Sequence, residues 1–225
     1  MSEEMKPAPG DARPGPPAII WAMTLIFVAF ELAFQAASAG ILPFGDLRWE
    51  VYKKLAFFDL YFEGMLEGYE VPFEFWTSFL THAVLHGGLV HLAMNGAIFL
   101  GLGGMIANNI GAKRFLVLFV VTAIAGSLTF ALITDTQGPL VGASGAIFGF
   151  FGALKRWEWR WLTSRNMSLS RFWGSIAGLT ALNVLLALFF PGEGAVAWEA
   201  HLGGFVAGFL IAPVLAPGRG GPSPI

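Results

Sequence analysis

The chain has 225 residues, of which 56% are apolar and only 12% charged, and its formal charge of −2 comes from 13 Lys and Arg against 15 Asp and Glu. Soluble domains are typically about 25% charged, so an ordinary cytosolic globule, a disordered chain and a nucleic-acid-binding protein are excluded, and the class is integral membrane. The absence of cysteine removes thiol nucleophiles, disulfides and cysteine-ligated metal centres, so any nucleophile must be oxygen or nitrogen.

Residues 1–17 hold five prolines and no apolar periodicity, which predicts a disordered tail. A helix needs about 20 apolar residues to cross the hydrocarbon core. Six runs meet or approach that length: Ala18 to Gly40, Gly87 to Ile106, Phe115 to Thr134, Thr136 to Leu154, Phe172 to Phe190 and Val196 to Ala216. The fourth opens with Gly138, Pro139 and Gly142, so its beginning is expected to be extended, with the helix starting near Ser144 and spanning about 144–157. The expectation is an all-α membrane protein with one six-helix domain over 18–216 and a short tail over 217–225. The first run has no signal-peptide cleavage pattern and reads as a retained anchor.

Between the first two runs lies a long loop, 41–75, with seven acids and three bases, Arg48, Lys53 and Lys54. Its Leu47, Val51, Leu55, Phe58 and Phe62 recur at helical spacing, predicting an amphipathic element in the outer interface. The main expectation is that it rests on the membrane and braces the bundle, with a substrate-contacting surface as the alternative. The other ten bases cluster in the tails and alternate connections, so the positive-inside rule puts both termini in the cytoplasm. A multi-pass protein with this arrangement suits a bacterial inner membrane.

Polar side chains within spans are costly and mark candidate sites. With 1.5 Å of rise per residue, His91 lies about 6 Å below the outer surface, Asn95 about 12 Å, and His201 about 7 Å. His91 and Asn95 share a helix face. Ser144, at the opening of the fourth helix, falls in the same outer layer. Gly145, Gly149 and Gly152 on the fourth span and Ala200, Gly204 and Gly208 on the sixth form small-residue ridges of the kind that let membrane helices approach closely. If the ridges meet, the Ser144 hydroxyl and the His201 imidazole come within hydrogen-bond reach.

Three motifs stand in order on these helices: His82-x-x-x-His86-x-x-x-x-His91-x-x-x-Asn95, Gly142-Ala143-Ser144-Gly145, and Ala200-His201-Leu202-Gly203-Gly204. Together they make the chain resemble the rhomboid family of intramembrane serine proteases over about residues 72–210. The resemblance implies a six-helix rhomboid-like bundle, with Ser144 as nucleophile and His201 as general base. It further implies His91 and Asn95 as side-chain donors to the oxyanion. The fifth helix, with the loop Pro191 to Trp198, would be a movable side gate. Two departures stand out. Phe75-Trp76-Thr77-Ser78 lacks the arginine that family members often carry after tryptophan, and Ala107-Asn108-Asn109 lacks the charges of a common Glu-x-Arg.

A serine hydroxyl needs an adjacent base to attack a carbonyl, and a neutral imidazole provides one. With no acid evidently placed to orient His201, a Ser-His dyad is expected; Glu199 falls on another helix face. The Ser144 backbone N–H at a helix N-terminus would add to the oxyanion field. Gly142, Gly145, Gly204 and His86 are expected to be structural neighbours of the site. Zinc is a rival for His82 and His86, which are four apart, but no HExxH accompanies them, and Gly87-Gly88 places His86 before the helix. The expectation is therefore no metal and no cofactor. The expected partners are the lipid bilayer and single-span or other transmembrane protein substrates, with no nucleic acid.

Overall fold

The computed structural model describes residues 14–134, 136, 138–189 and 196–216. Its helices in chain order are α1 (Ala18–Ser38), α2 (Leu47–Leu55), α3 (Asp59–Leu66), α4 (Phe73–Thr81), α5 (Leu89–Ile98), α6 (Gly104–Ile110), α7 (Ala112–Ile133), α8 (Ser144–Ser164), α9 (Ser170–Phe189) and α10 (Trp198–Leu215). A 3-10 turn, His82–Val84, follows α4, and a π turn, Phe99–Gly103, joins α5 to α6 into one apolar length, Leu89–Ile110. No strand is present among the described residues. The protein is an all-α membrane bundle.

Five of the described lengths are long and apolar enough to cross a membrane: α1, Leu89–Ile110, α7, α9 and α10. The remaining one of the six expected spans, α8, falls short of that standard. Lys155, Arg156, Glu158 and Arg160 occupy its second half. Its uncharged part runs only from Ser144 to Leu154, and the reason it can be so short is where it sits. Helix α8 packs on α10 and α7, burying Gly145, Ala146, Ile147, Gly149, Phe150, Gly152 and Ala153. A helix walled by protein needs no lipid-facing apolar surface of its own.

The glycine ridges do meet. A Cβ placed on Gly204 would stand 1.9 Å from the Gly145 carbonyl oxygen, and one on Gly208 would stand 1.9 Å from that of Gly149. Only hydrogen fits at these crossings, which brings the α8 and α10 backbones into contact. Toward α7, Gly149 faces Thr122, whose hydroxyl turns back to the Leu118 carbonyl and so carries no unpaired donor into the contact. The main core beneath is aromatic and aliphatic, with Phe27, Phe99, Phe115, Phe119, Ile147 and Phe150 packed together. Trp157 closes it by donating its indole N–H to the Ala212 carbonyl at 2.9 Å.

The long first loop is three helices, α2 to α4, where one amphipathic element was expected. Phe58 is the reason for the first break: it is extended and precedes α3, interrupting the helical spacing of Leu47, Val51 and Leu55. These helices brace the bundle. Phe57 and Phe75 are buried with Phe130 of α7 and Ala200 of α10, Thr81 donates to the Leu55 carbonyl at 2.8 Å, and Ser127 donates to the Phe79 carbonyl at 3.0 Å.

The one charge of α1, Glu31, is fully buried and is met by Arg48 of α2 at 2.8 Å. Arg48 also donates to the His86 carbonyl at 2.7 Å, beside the Tyr52 hydroxyl, which donates to the same oxygen at 2.8 Å. Arg48 thus ties α1, α2 and the entry to α5 together. Residues 14–17, at the end of the expected tail, lie against α6: Asn108 donates its amide to the Pro14 and Gly15 carbonyls.

Candidate active site

The segment leading into α8 is extended and held from two sides. Leu140 exchanges backbone hydrogen bonds with Phe57, at 2.8 and 3.2 Å, and the Gly142 N–H donates to the His82 carbonyl at 3.0 Å. Gly142 adopts φ +120°, a region that disfavours side chains. The chain then turns into α8 with Ser144 as its first residue, so the Ser144 N–H has no partner within the helix.

Ser144 and His201 are brought together. His201 projects from the first turn of α10, and its Nε2 is 2.9 Å from Ser144 Oγ. The opposite nitrogen, Nδ1, is 2.7 Å from Asn183 Oδ1 of α9. An amide oxygen only accepts, so Nδ1 bears the proton and Nε2 accepts the Ser144 hydroxyl. Phe148, one turn beyond Ser144, stacks on the imidazole with ring centres 4.1 Å apart and planes inclined by 6°. The imidazole is buried while Ser144 is half-buried, so the hydroxyl is the more accessible member of the pair.

His91 and Asn95 approach the same turn from α5. The Gly87 N–H donates to His91 Nδ1 at 3.2 Å, which leaves the ring proton on Nε2. That nitrogen comes within 2.9 Å of the place a Cβ on Gly142 would occupy, and Asn95 Nδ2 within 3.6 Å of it. Asn95 Nδ2 is buried with no hydrogen-bond acceptor. Two donors, one of them without a protein acceptor, thus flank the backbone two residues before Ser144. A negatively charged oxygen seated there would satisfy them.

The other two histidines lie outside the Ser144–His201 pair. His82 Nδ1 bonds the Ser78 carbonyl oxygen at 2.9 Å. His86 packs its ring on Phe27 and His91, with ring centres 5.3 and 5.2 Å away, and neither ring nitrogen has a hydrogen-bond partner. Among the described residues, no group of three or more histidines or carboxylates is gathered as a metal site would be. Of the expected side gate, α9 is described up to Phe189, which is exposed; residues 190–195 lie outside the described residues.

Asn183 is the site neighbour that the sequence reading passed over. Its signal was available: it is the only Asn, Gln or charged residue from Phe172 to Phe189. An amide in the middle of an apolar span generally seeks an interhelical partner.

A model of the rhomboid domain matches residues 72–218. The chain is 32% identical over 146 residues to rhomboid protease GluP of Bacillus subtilis (strain 168), covering 65% of this chain and 27% of the relative. It is 36% identical over 134 residues to RHOMBOID-like protein 5 of Arabidopsis thaliana, covering 58% and 41%. To rhomboid protease GlpG of Yersinia pestis (strain Pestoides F) it is 30% identical over 141 residues, covering 59% and 46%. The chain spans less than half the length of these relatives. The matched region carries every helix from α4 to α10 and, with them, His91, Asn95, Ser144, Asn183 and His201, and the chain belongs to the rhomboid family.

Proposed function

We propose that the protein is an intramembrane serine endopeptidase that cleaves transmembrane segments of membrane proteins near the extracytoplasmic face. Ser144 is the nucleophile and His201 the general base. The observation that carries this reading is the 2.9 Å hydrogen bond between them, made at the crossing of α8 and α10.

In the reaction, His201 Nε2 takes the Ser144 proton as Oγ attacks the scissile carbonyl, and then delivers it to the leaving amine. General-base action of this kind contributes about 10²- to 10⁴-fold. The carbonyl oxygen becomes an oxyanion facing His91 Nε2–H, the Asn95 amide and the Ser144 N–H. Preorganised donors act strongly here because the surroundings are apolar and they need no reorientation. Water then attacks the acyl-enzyme with His201 again as base. The reaction draws on side chains and backbone alone.

The substrate is itself a membrane segment, because such a segment reaches the site laterally. Its peptide bonds are protected while helical, so cleavage favours places where a helix end or small residues let it unwind. The clustering of Lys155, Arg156, Arg160 and Arg165 toward and just beyond the far end of α8 supports a cytoplasmic location for that end. That orientation puts Ser144 on the outer side of the membrane, where water can enter.

The test uses purified full-length protein and a single-span substrate. A fluorophosphonate is expected to label Ser144, and Ser144→Ala and His201→Ala are each expected to abolish cleavage while melting as the parent does. Full cleavage by both variants would overturn the proposal, and labelling without cleavage of any membrane substrate would instead favour a protein that escorts its clients.

A further inference from the structure

We infer that Asn183 of α9 is a positioning residue for His201, setting which imidazole nitrogen carries the proton and aiming the other at Ser144. The inference rests on the reading of Ser144 and His201 as nucleophile and base. It starts from the 2.7 Å contact between Asn183 Oδ1 and His201 Nδ1.

Two groups hold the imidazole, and they do different things. Phe148 lies flat against it, which sets the plane of the ring but leaves its protonation open, since either tautomer can stack. Asn183 removes that freedom. Its Oδ1 accepts only from a protonated Nδ1, so Nε2 is left as an acceptor at 2.9 Å from Ser144 Oγ. In the opposite tautomer Nε2 bears the proton and cannot take one from the serine. The order along the chain of contacts is Asn183 amide oxygen, His201 N–H, His201 Nε2, Ser144 hydroxyl.

The placement of Asn183 gives this contact a second consequence. Helix α9 is lightly held: Phe172 is its one buried side chain, and a hydrogen bond of 2.6 Å from Lys155 to Ser175 secures the same end. Ser175, Ile176, Leu179, Asn183, Leu186 and Ala187 form the half-buried stripe that faces the bundle. Ser175 to Asn183 is about 12 Å of helix, so Asn183 ties α9 to the bundle at a point well beyond that anchor. The alignment of the base therefore depends on α9 being seated.

The experiment compares Asn183→Leu, which has similar bulk and no acceptor, Asn183→Ala, and Asn183→Asp, which keeps an acceptor, all in the full chain. With a single-span substrate, Asn183→Leu and Asn183→Ala are expected to lower kcat about 10- to 100-fold. That is less than the about 10⁴-fold cost of an enforced wrong tautomer in a serine triad, because leucine or alanine at 183 leaves the ring free to adopt either tautomer. KM is expected to stay within about twofold. Fluorophosphonate labelling of Ser144 should slow in parallel, and Asn183→Asp should restore both rates. In 15N spectra, His201 should be protonated at Nδ1 in the parent and should lose that single-tautomer signature in Asn183→Leu.

Parental kcat, labelling and 15N signature in Asn183→Leu would overturn the inference. So would an Asn183→Asp variant as slow as Asn183→Leu, which would reduce the residue to packing. If Asn183→Leu fails to fold, the same comparison is read from Asn183→Ala and Asn183→Asp. Failure of the underlying reading looks different: Ser144→Ala would then cleave normally whatever the residue at 183.

Discussion

Replacing Gly204 with alanine tests whether the crossing of α8 and α10 sets the chemistry. The added Cβ would lie 1.9 Å from the Gly145 carbonyl oxygen and 2.7 Å from its carbon, against an ordinary contact of 3.4 Å or more. Both are backbone atoms, so no rotamer change relieves the clash, and the helices must part by about 1.5 Å at that point. Gly145 follows Ser144, and Gly204 lies one turn from His201, so the separation acts directly on their bond. It carries 2.9 Å past the limit of hydrogen bonding at about 3.5 Å. Loss of the base then lowers kcat by about 10²-fold or more, while overpacking costs about 1–3 kcal/mol of stability.

Two comparison variants separate these effects. In Gly203→Ala the new Cβ meets Thr129 at 2.2 Å and the Ala125 carbonyl oxygen at 2.6 Å, so the same helix is strained against α7 and away from α8. In Gly178→Ala the Cβ meets nothing within 4 Å. We expect Gly203→Ala to lose stability with a smaller loss of kcat, and Gly178→Ala to match the parent in both. Cleavage rates with a single-span substrate and thermal melts in one detergent provide the measurements. A folded Gly204→Ala protein that cleaves at the parental rate would refute the argument.

Asn95→Ala is expected to reduce kcat about 10²- to 10³-fold with little change in KM, the usual cost of one oxyanion donor; unchanged turnover would remove Asn95 from the site. Gly142→Ala should also be impaired, since φ +120° strains a side chain and the Cβ would press to 2.8 Å from His91 Cε1. Arg48→Met leaves the buried Glu31 carboxylate with the neutral Gln35 amide and no counter-charge from Arg48, and breaking a buried pair costs about 3–5 kcal/mol. The lower end is expected because the Arg48 side chain stays 24% exposed; recovery of the melting temperature in the Glu31→Gln, Arg48→Met double variant checks the cause. Cleavage is expected to persist in the presence of a metal chelator, measured on the same substrate.

Local features made much of this protein legible before any coordinates. The apolar runs announced the long helices because crossing hydrocarbon requires a length and polarity that no other segment shares. Glycines spaced four apart on α8 and α10 announced their crossing because only a missing side chain lets backbones touch. Ser144 and His201 stood out because each neighbours such a ridge at matching depth. The boundary at Ser144 was legible from Gly138, Pro139 and Gly142, which disfavour a helix over that stretch.

What depended on tertiary structure was the pairing of groups far apart in the chain. Nothing in the residues around Glu31 says that Arg48 reaches it, because a loop's path follows the surfaces it packs on and not its own periodicity. The three-helix brace arose in the same way, from Phe57 and Phe75 finding a place beside Phe130. The reason the uncharged part of α8 can be so short was likewise tertiary, because burial by α7 and α10, and not its own composition, permits it. Asn183 meets His201 only because α9 docks with one particular face inward, and helix rotation of that kind is decided by neighbours when nearly every face is apolar.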